Sequence, residues 1–219
     1  MTRLDPCGSH KARRHAPTRV ALLQARRTGT LLARLLAFLL LALATAPGWG
    51  AGAWATDSAA SKLTFLATQA GGEFEGRFKR FTPMIVFDSA DLAHSRFAVD
   101  IDTTAADTGE RDRDNILRGK DFFATQQWPT ARFETIAFRA TGPDAFDATG
   151  KLTLRNVTQE IHLPFTFKPA ADGKSAALVG GTTVHRLDYG VGQGEWSDTK
   201  WIGNDVRIRF DLTLRRTPP

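Results

Sequence analysis

Between residues 62 and 214 the chain returns again and again to a period of two. In the last such run Val206, Ile208, Phe210, Leu212 and Leu214 are apolar, and the residues between them are Arg207, Arg209, Asp211 and Thr213. Successive side chains of a strand point to opposite faces, so this run makes a strand with one dry and one wet side and cannot make an amphipathic helix. Ile161, Leu163, Phe165 and Phe167 stand in the same way against His162, Thr166 and Lys168; Phe97, Val99 and Ile101 against Asp100 and Asp102; Leu152 and Leu154 against Lys151 and Thr153. Leu63 with Phe65, Phe74 with Phe78, and Ile85 with Phe87 add further strands, and the slipped step from Phe133 to Ile136 and Phe138 predicts a β-bulge. Turn residues separate the runs at Gly71-Gly72, Gly142-Pro143-Asp144, Ala170-Ala171-Asp172-Gly173 and Gly180-Gly181.

One segment breaks this rhythm. Asp107-Thr108-Gly109-Glu110 has the form of a capping box with Asp107 as the cap, Arg111 to Arg118 suits a helix, and Gly119 suits its end. No repeat, low-complexity tract or linker divides the region, so the fold class is all-β: one antiparallel sheet with one short helix. A sheet of about eight strands with a single apolar face closes as a sandwich or a barrel. Of 15 Phe, all but Phe38 follow residue 55, mostly on the apolar side of a strand. A filled core is the plainer account of so many rings, and an apolar cavity walled by them is the alternative.

The N-terminal residues read differently. Arg13, Arg14, Arg19, Arg26, Arg27 and Arg34 precede the uncharged run from Leu35 to Ala44, and small residues follow. This is the order of an export signal, and the run is short of the ~20 residues of a spanning helix. Ala53-Trp54-Ala55 fits the small-x-small rule for cleavage, with Ala44-Thr45-Ala46 as an earlier alternative. The expected division is a signal peptide at 1–55 and one domain at 56–219, with a periplasmic destination. The basic leader is long, and initiation near Val20 would account for that. Its Cys7 is the chain's one cysteine, so the domain has no disulfide and no Cys-based metal or redox site. Eight of the 29 Lys and Arg and one of the 23 Asp and Glu lie in residues 1–55, which leaves 21 basic and 22 acidic groups on the domain. A near-neutral domain lacks the basic footprint that phosphate-backbone binding needs, which argues against nucleic acid.

Chemistry-bearing patterns are sparse. His94, His162 and His185 share no metal-ligand spacing, and His162 alternates onto the polar face. No Gly-x-Ser-x-Gly elbow is present. Gly190-Val191-Gly192-Gln193-Gly194 runs into Glu195-Trp196 and an expected strand, not a helix, so it reads as a loop at the barrel mouth and not as a phosphate cradle. The acidic run from Asp100 to Asp114 lacks a calcium-loop register and is interleaved with Arg111 and Arg113, as suits a salt-bridged helix. Trp128, Trp196 and Trp201 fall in loops or at strand ends, where they either plug the barrel or guard its opening.

Four blocks, taken together, resemble the YceI family of periplasmic lipid-binding proteins. They are Gly119-Lys120-Asp121-Phe122-Phe123-Ala124 followed by Trp128-Pro129-Thr130-Ala131-Arg132-Phe133-Glu134, Gly150-Lys151-Leu152-Thr153-Leu154-Arg155-Asn156-Val157-Thr158, Arg186-Leu187-Asp188-Tyr189-Gly190-Val191-Gly192, and Val206-Arg207-Ile208. Order and spacing agree over essentially the whole domain. Ala60 stands where the family often has His, and Ala124 where it often has Asp. The resemblance implies an extended, lipocalin-like antiparallel barrel whose lumen holds a polyisoprenoid chain such as a quinone tail. On that reading Phe74, Phe78, Phe122, Phe123, Phe133, Phe138, Phe165 and Phe210 are the expected ligand-binding residues. The protein is then a non-catalytic carrier with no catalytic residue, no metal and no cofactor beyond a bound isoprenoid lipid or quinone. The stretch Gly192-Gln193-Gly194-Glu195-Trp196-Ser197-Asp198-Thr199 with Trp201 resembles members found beside membrane b-type cytochromes, which names such a cytochrome as a partner; a homodimer is also open. The alternative function is an enzyme or a metal-dependent stress protein that uses the barrel only as a scaffold.

Overall fold

The computed structural model describes residues 52–217. Eleven antiparallel strand segments follow one another: β1 (Ala53–Thr56), β2 (Lys62–Gln69), β3 (Gly72–Phe78), β4 (Phe81–Val86), β5 (Arg96–Asp102), β6 (Ala106–Asp107), β7 (Thr130–Ala140), β8 (Ala145–Leu154), β9 (Val157–Pro169), β10 (Ser175–His185) and β11 (Asp205–Arg216). Hydrogen bonding runs β1-β4-β5-β7-β8-β9-β10-β11, and β1 pairs back onto β11, which closes the ring. Along its other edge β11 meets β2 from Arg207 to Asp211 and β1 from Leu214 to Arg216. Likewise β3 pairs with β2 and β6, while β4 pairs with β1 and β5. β1 and β2 thus share one position, β3 and β4 the next, and β5 and β6 the third, so eleven segments fill the eight positions of a barrel. Closure removes the exposed edges that an open sheet of this size would carry.

Local chemistry agrees with the path. β8 turns into β9 through Arg155-Asn156, both at positive φ (51° and 61°), as a two-residue hairpin requires if its twist is to match the strands. The bulge expected in β7 lies at Ile136, where the register with β8 shifts between Thr135 and Ala137 and the extra side chain turns outward.

Three expectations are corrected in detail. The helix, α1 (Arg111–Arg118), is where the sequence placed it, but Asp107 does not cap it. Asp107 lies in β6 and binds Arg77 and Lys79; Asp114, inside the helix, reaches back to accept from the Thr108 N–H at 2.8 Å and the Thr108 hydroxyl at 2.7 Å. Gly180-Gly181 is not a turn but the middle of β10, opposite Phe210 and Arg209. A Cβ on Gly180 would stand 2.6 Å from the Phe210 ring and 2.7 Å from the Phe165 Cβ, so glycine is required by close approach. The loop after Gly192 enters a 3-10 turn, Gly194–Ser197, and not a strand. The expected boundary after Ala55 falls within β1, where Trp54 is buried and its indole N–H donates to the Phe87 carbonyl at 3.0 Å. Residues 1–51 of the expected leader lie outside the described residues.

Candidate functional site

Inward-facing residues differ in kind from one end of the barrel to the other. At the end where β1 starts and β9 finishes, seven rings meet: Trp54, Phe87, Phe97, Phe138, Phe146, Phe165 and Phe167. Phe87 is their hub, with ring centroids 4.8 Å from Phe167, 5.0 Å from Phe146, 5.4 Å from Phe165 and 5.6 Å from Phe138. Most of these pairs are edge-to-face or tilted, the arrangement the ring quadrupole favours. This end is a solid plug.

Beyond the plug the lumen opens. A first cavity, of about 80 Å³, is walled by aliphatic residues such as Leu63, Val99, Leu163, Leu178 and Leu212, with Phe81, Phe97, Phe133 and Phe210 among them. A second, of about 100 Å³, is walled by Phe65, Phe74, Phe78, Leu117, Phe122, Phe123 and Val191 together with Arg186 and Tyr189. The two share Leu152 and Ile208, so they are neighbouring compartments of one lumen. Either is larger than the ~10–15 Å³ that a single water needs, yet their walls supply almost none of the 2–4 polar partners that would hold one. Such space suits hydrocarbon.

The wall beside the first cavity is incomplete. β9 pairs with β10 only from Pro169 opposite Ala176 to Phe165 opposite Gly180, although β10 continues to His185 and β9 begins at Val157. Pro164, which has no N–H to give, and the glycine pair mark the point where this ladder stops. Ile161, Thr182, Ile208 and Phe210 lie next to the gap and are only half-buried although they line the lumen.

The far end is closed by α1 and the loop segments around it. Leu117 of α1 and Phe122-Phe123 just after it lie over the second cavity, and the segment from Arg186 to Asn204 lies beside them. Arg186 is buried, and all five of its N–H groups are accounted for by main-chain carbonyls: Nε donates to Gly203 at 3.0 Å, Nη1 to Val191 at 2.8 Å and Gly192 at 3.0 Å, and Nη2 to Trp196 and Ile202 at 2.8 Å each. Burial lowers its pKa from the usual arginine value, and among the described residues no carboxylate pairs with it. Asp121 ties the two cap segments together, its carbonyl accepting from the N–H of Gly192 at 2.7 Å and of Gln193 at 2.9 Å. The Arg155 guanidinium, packed over the Trp128 ring, donates to the carbonyls of Asp121 and Gly190.

Of the eight phenylalanines expected to bind ligand, Phe133 and Phe210 line the first cavity, and Phe74, Phe78, Phe122 and Phe123 line the second. Phe138 and Phe165 line neither and belong to the plug. Sequence reasoning did not single out Arg186 or Tyr189, which sit together in a 3-10 turn (Arg186–Tyr189) where no alternation betrays an inward side chain. His94, His162 and His185 are exposed and sit beside Asp91, Asp147, and Asp188 with Asp205. Among the described residues no three His, Cys, Asp or Glu converge as metal ligands would.

A closed antiparallel barrel with an apolar lumen and a single helix over one end is a lipocalin-like fold. The chain belongs to the YceI family: the YceI-like domain model matches residues 54–214. A UPF0312 protein of Pseudomonas savastanoi pv. phaseolicola is 32% identical over 155 residues, which cover 68% of this chain and 79% of that one. A UPF0312 protein of Azotobacter vinelandii is 33% identical over 120 residues, 53% of this chain but only 62% of the relative's length. Among solved structures, BcnA of Burkholderia cenocepacia superposes with a TM-score of 0.69 at 31% identity, covering 73% of this chain and 99% of BcnA. A domain of Saccharophagus degradans, described as polyisoprenoid-binding and implicated in plant cell wall breakdown, shares the fold at 19% identity with a TM-score of 0.61, over 76% of this chain and 99% of that domain.

Proposed function

We propose that this chain is an exported, non-catalytic carrier that shields a polyisoprenoid, or a similar long-chain lipid such as a prenyl quinone, inside its barrel. The observation that carries the reading is the pair of apolar cavities meeting at Leu152 and Ile208 on the open side of the aromatic plug. Hiding a hydrocarbon chain from water there is favourable by roughly 25 cal/mol per Å² of apolar surface and calls on no reacting group. The polyisoprenoid-binding description of the Saccharophagus domain supports the same ligand class. The chain is longer than either compartment, so it threads both, and the unpaired stretch between β9 and β10 gives it a side through which to load. The leader supports a periplasmic site of action, and the Gly192 to Thr199 segment supports delivery to a membrane b-type cytochrome.

The test is chemical. Protein purified from the periplasm is extracted into organic solvent and the extract is read by mass spectrometry. The expected result is a prenyl lipid in near-equimolar amount that is absent from an unrelated periplasmic protein carried through the same steps. An extract without lipid, from protein that also binds no added prenyl chain, overturns the proposal.

A further inference from the structure

Neither cavity presents a polar atom to the space it encloses. Thr182 is the one polar residue on the first cavity's wall, and its hydroxyl does not face that space. On the second cavity's wall Arg186 has given every N–H to a main-chain carbonyl, and the Tyr189 hydroxyl is buried behind the lining. A carbonyl, hydroxyl or phosphate moved from water into such a lumen leaves its hydrogen bonds behind and finds none to replace them, and an ion fares worst. The lumen therefore fits the chain of a lipid and rejects its head.

Polar groups are available instead in the side wall. β9 and β10 part beyond Phe165 and Gly180, so along 157–164 and 181–185 the main-chain N–H and C=O groups that point across the gap have no facing strand. Toward the cap this window ends where Gln159 Nε2 donates to the Asp188 carbonyl at 3.4 Å. Its inner rim is Ile161, Leu163 and Thr182, which line the first cavity, and Val184, which lines the second, so the window runs alongside both. Its outer rim is exposed and polar: Glu160 and His162 on β9, Thr183 and His185 on β10.

We propose that the cargo's polar head stays outside the lumen, in this window, and that the protein selects prenyl lipids by their chain and not by their head group. This rests on the carrier reading and deepens it, since the ligand class then takes in prenyl alcohols, phosphates and quinones alike. A chain that fills both compartments from one end starts in the second, because the first ends against the plug. The head accordingly lies at the cap end of the window, beside the Arg186–Tyr189 turn, where water and the unpaired main-chain groups of β10 satisfy it.

The experiment titrates wild type, freed of native lipid, with geranylgeraniol and with geranylgeranyl phosphate, which share a chain and differ in the head. The two affinities are expected to agree within about threefold, no more than one net hydrogen bond is worth. A second measurement locates the head: a geranylgeranyl lipid with a nitroxide head is bound to protein carrying a fluorophore on Thr183→Cys or on Asn115→Cys, each with Cys7→Ser to remove the chain's own thiol. Thr183 is on the window's rim and Asn115 is exposed on α1 at the cap, so most of the fluorescence is expected to be lost at Thr183→Cys and little at Asn115→Cys. A phosphate held about tenfold or more weakly than the alcohol, a difference beyond one ordinary hydrogen bond, overturns the exclusion of the head. Stronger quenching at Asn115→Cys than at Thr183→Cys overturns its place in the window. Either result leaves the carrier standing, whereas failure of wild type to take up either lipid overturns the carrier reading and this one with it. The comparison of alcohol with phosphate uses no variant, so it decides even if a labelled protein folds poorly.

Discussion

The two ends of this barrel are closed by different forces. At the plug, seven aromatic rings fill the space by contact, and the Trp54 indole N–H is given to the Phe87 carbonyl. At the cap, short segments are laced together by hydrogen bonds from Arg186 and Arg155 to main-chain carbonyls, over space the side chains do not fill. Dispersion between rings falls off steeply with distance, so a plug cannot be opened a little without losing most of its energy. A cap held by a few arginine hydrogen bonds can exchange them for water. The difference assigns stability to one end of the same barrel and unfilled apolar space to the other.

The largest test of that division removes the first strand's share of the plug. A chain that begins at Thr56 lacks Trp54 and three of the four residues of β1, and it is expected to lose at least the ~3–5 kcal/mol of a large aromatic deletion, together with the barrel closure onto β4 and β11. Native processing is then expected upstream of Ala53, with Ala44-Thr45-Ala46 as the cleavage motif, and N-terminal sequencing of periplasmic protein reads this directly. A native chain beginning at Thr56 with an undiminished melting point would contradict the role given to β1.

Next in size is Phe87→Ala, a hub deletion expected to cost about 3–5 kcal/mol in chemical denaturation, while the molecules that remain folded still take up lipid. Leu152→Trp addresses the opposite region. It adds volume to the wall shared by the two cavities, where unfilled space accommodates it, so stability is expected to change by less than about 1.5 kcal/mol while retained lipid falls sharply. If Phe87→Ala abolished uptake in folded protein, or Leu152→Trp left it untouched, the division between plug and lumen would fail.

The smallest effect concerns the ion pairs that hold β3 to β6 near the cap. Hydrogen bonds from Lys79 and Arg77 lower the Asp107 pKa to about 2 from an unfolded value near ~3.9. Because the folded value is the lower one, this contribution is fully present above about pH 4 and is lost as the pH falls toward 2. Asp107→Asn is therefore expected to flatten the stability profile in that window and to leave it parallel to wild type above it. A profile unchanged between pH 4 and 2 would show that these pairs do not act in solution.

How much of this was legible follows from what alternation encodes. A period of two tells which side of a strand faces inward, and it located β2, β5, β9 and β11 with nearly all their lumen residues. It does not tell how far along the barrel axis a residue lies. Phe138 and Phe165 therefore read just like Phe133 and Phe210, although the first two are in the plug and the second two at the cavity. β1 is only four residues long, too short for its alternation to show in the sequence, and its Ala-Trp-Ala core is also what a signal peptidase accepts. Gly180-Gly181 has turn composition but serves close approach of strands, which only the neighbouring Phe165 and Phe210 explain. Asp107 and Asp114 both sit within reach of the helix start in sequence, and the choice between them was made by Arg77 and Lys79, far away along the chain. Arg186 and Tyr189 escaped because a 3-10 turn has no two-residue period to reveal its inward face.

The central claim is that the lumen between plug and cap holds the lipid chain, and electron density for protein crystallised with its native cargo tests it most directly. The account predicts continuous tubular density that begins beside Tyr189, passes Leu152 and Ile208 into the first cavity, and ends against Phe97 and the plug. A lumen that stays empty while lipid is bound elsewhere, or density that passes between Phe87 and Phe167, would contradict it.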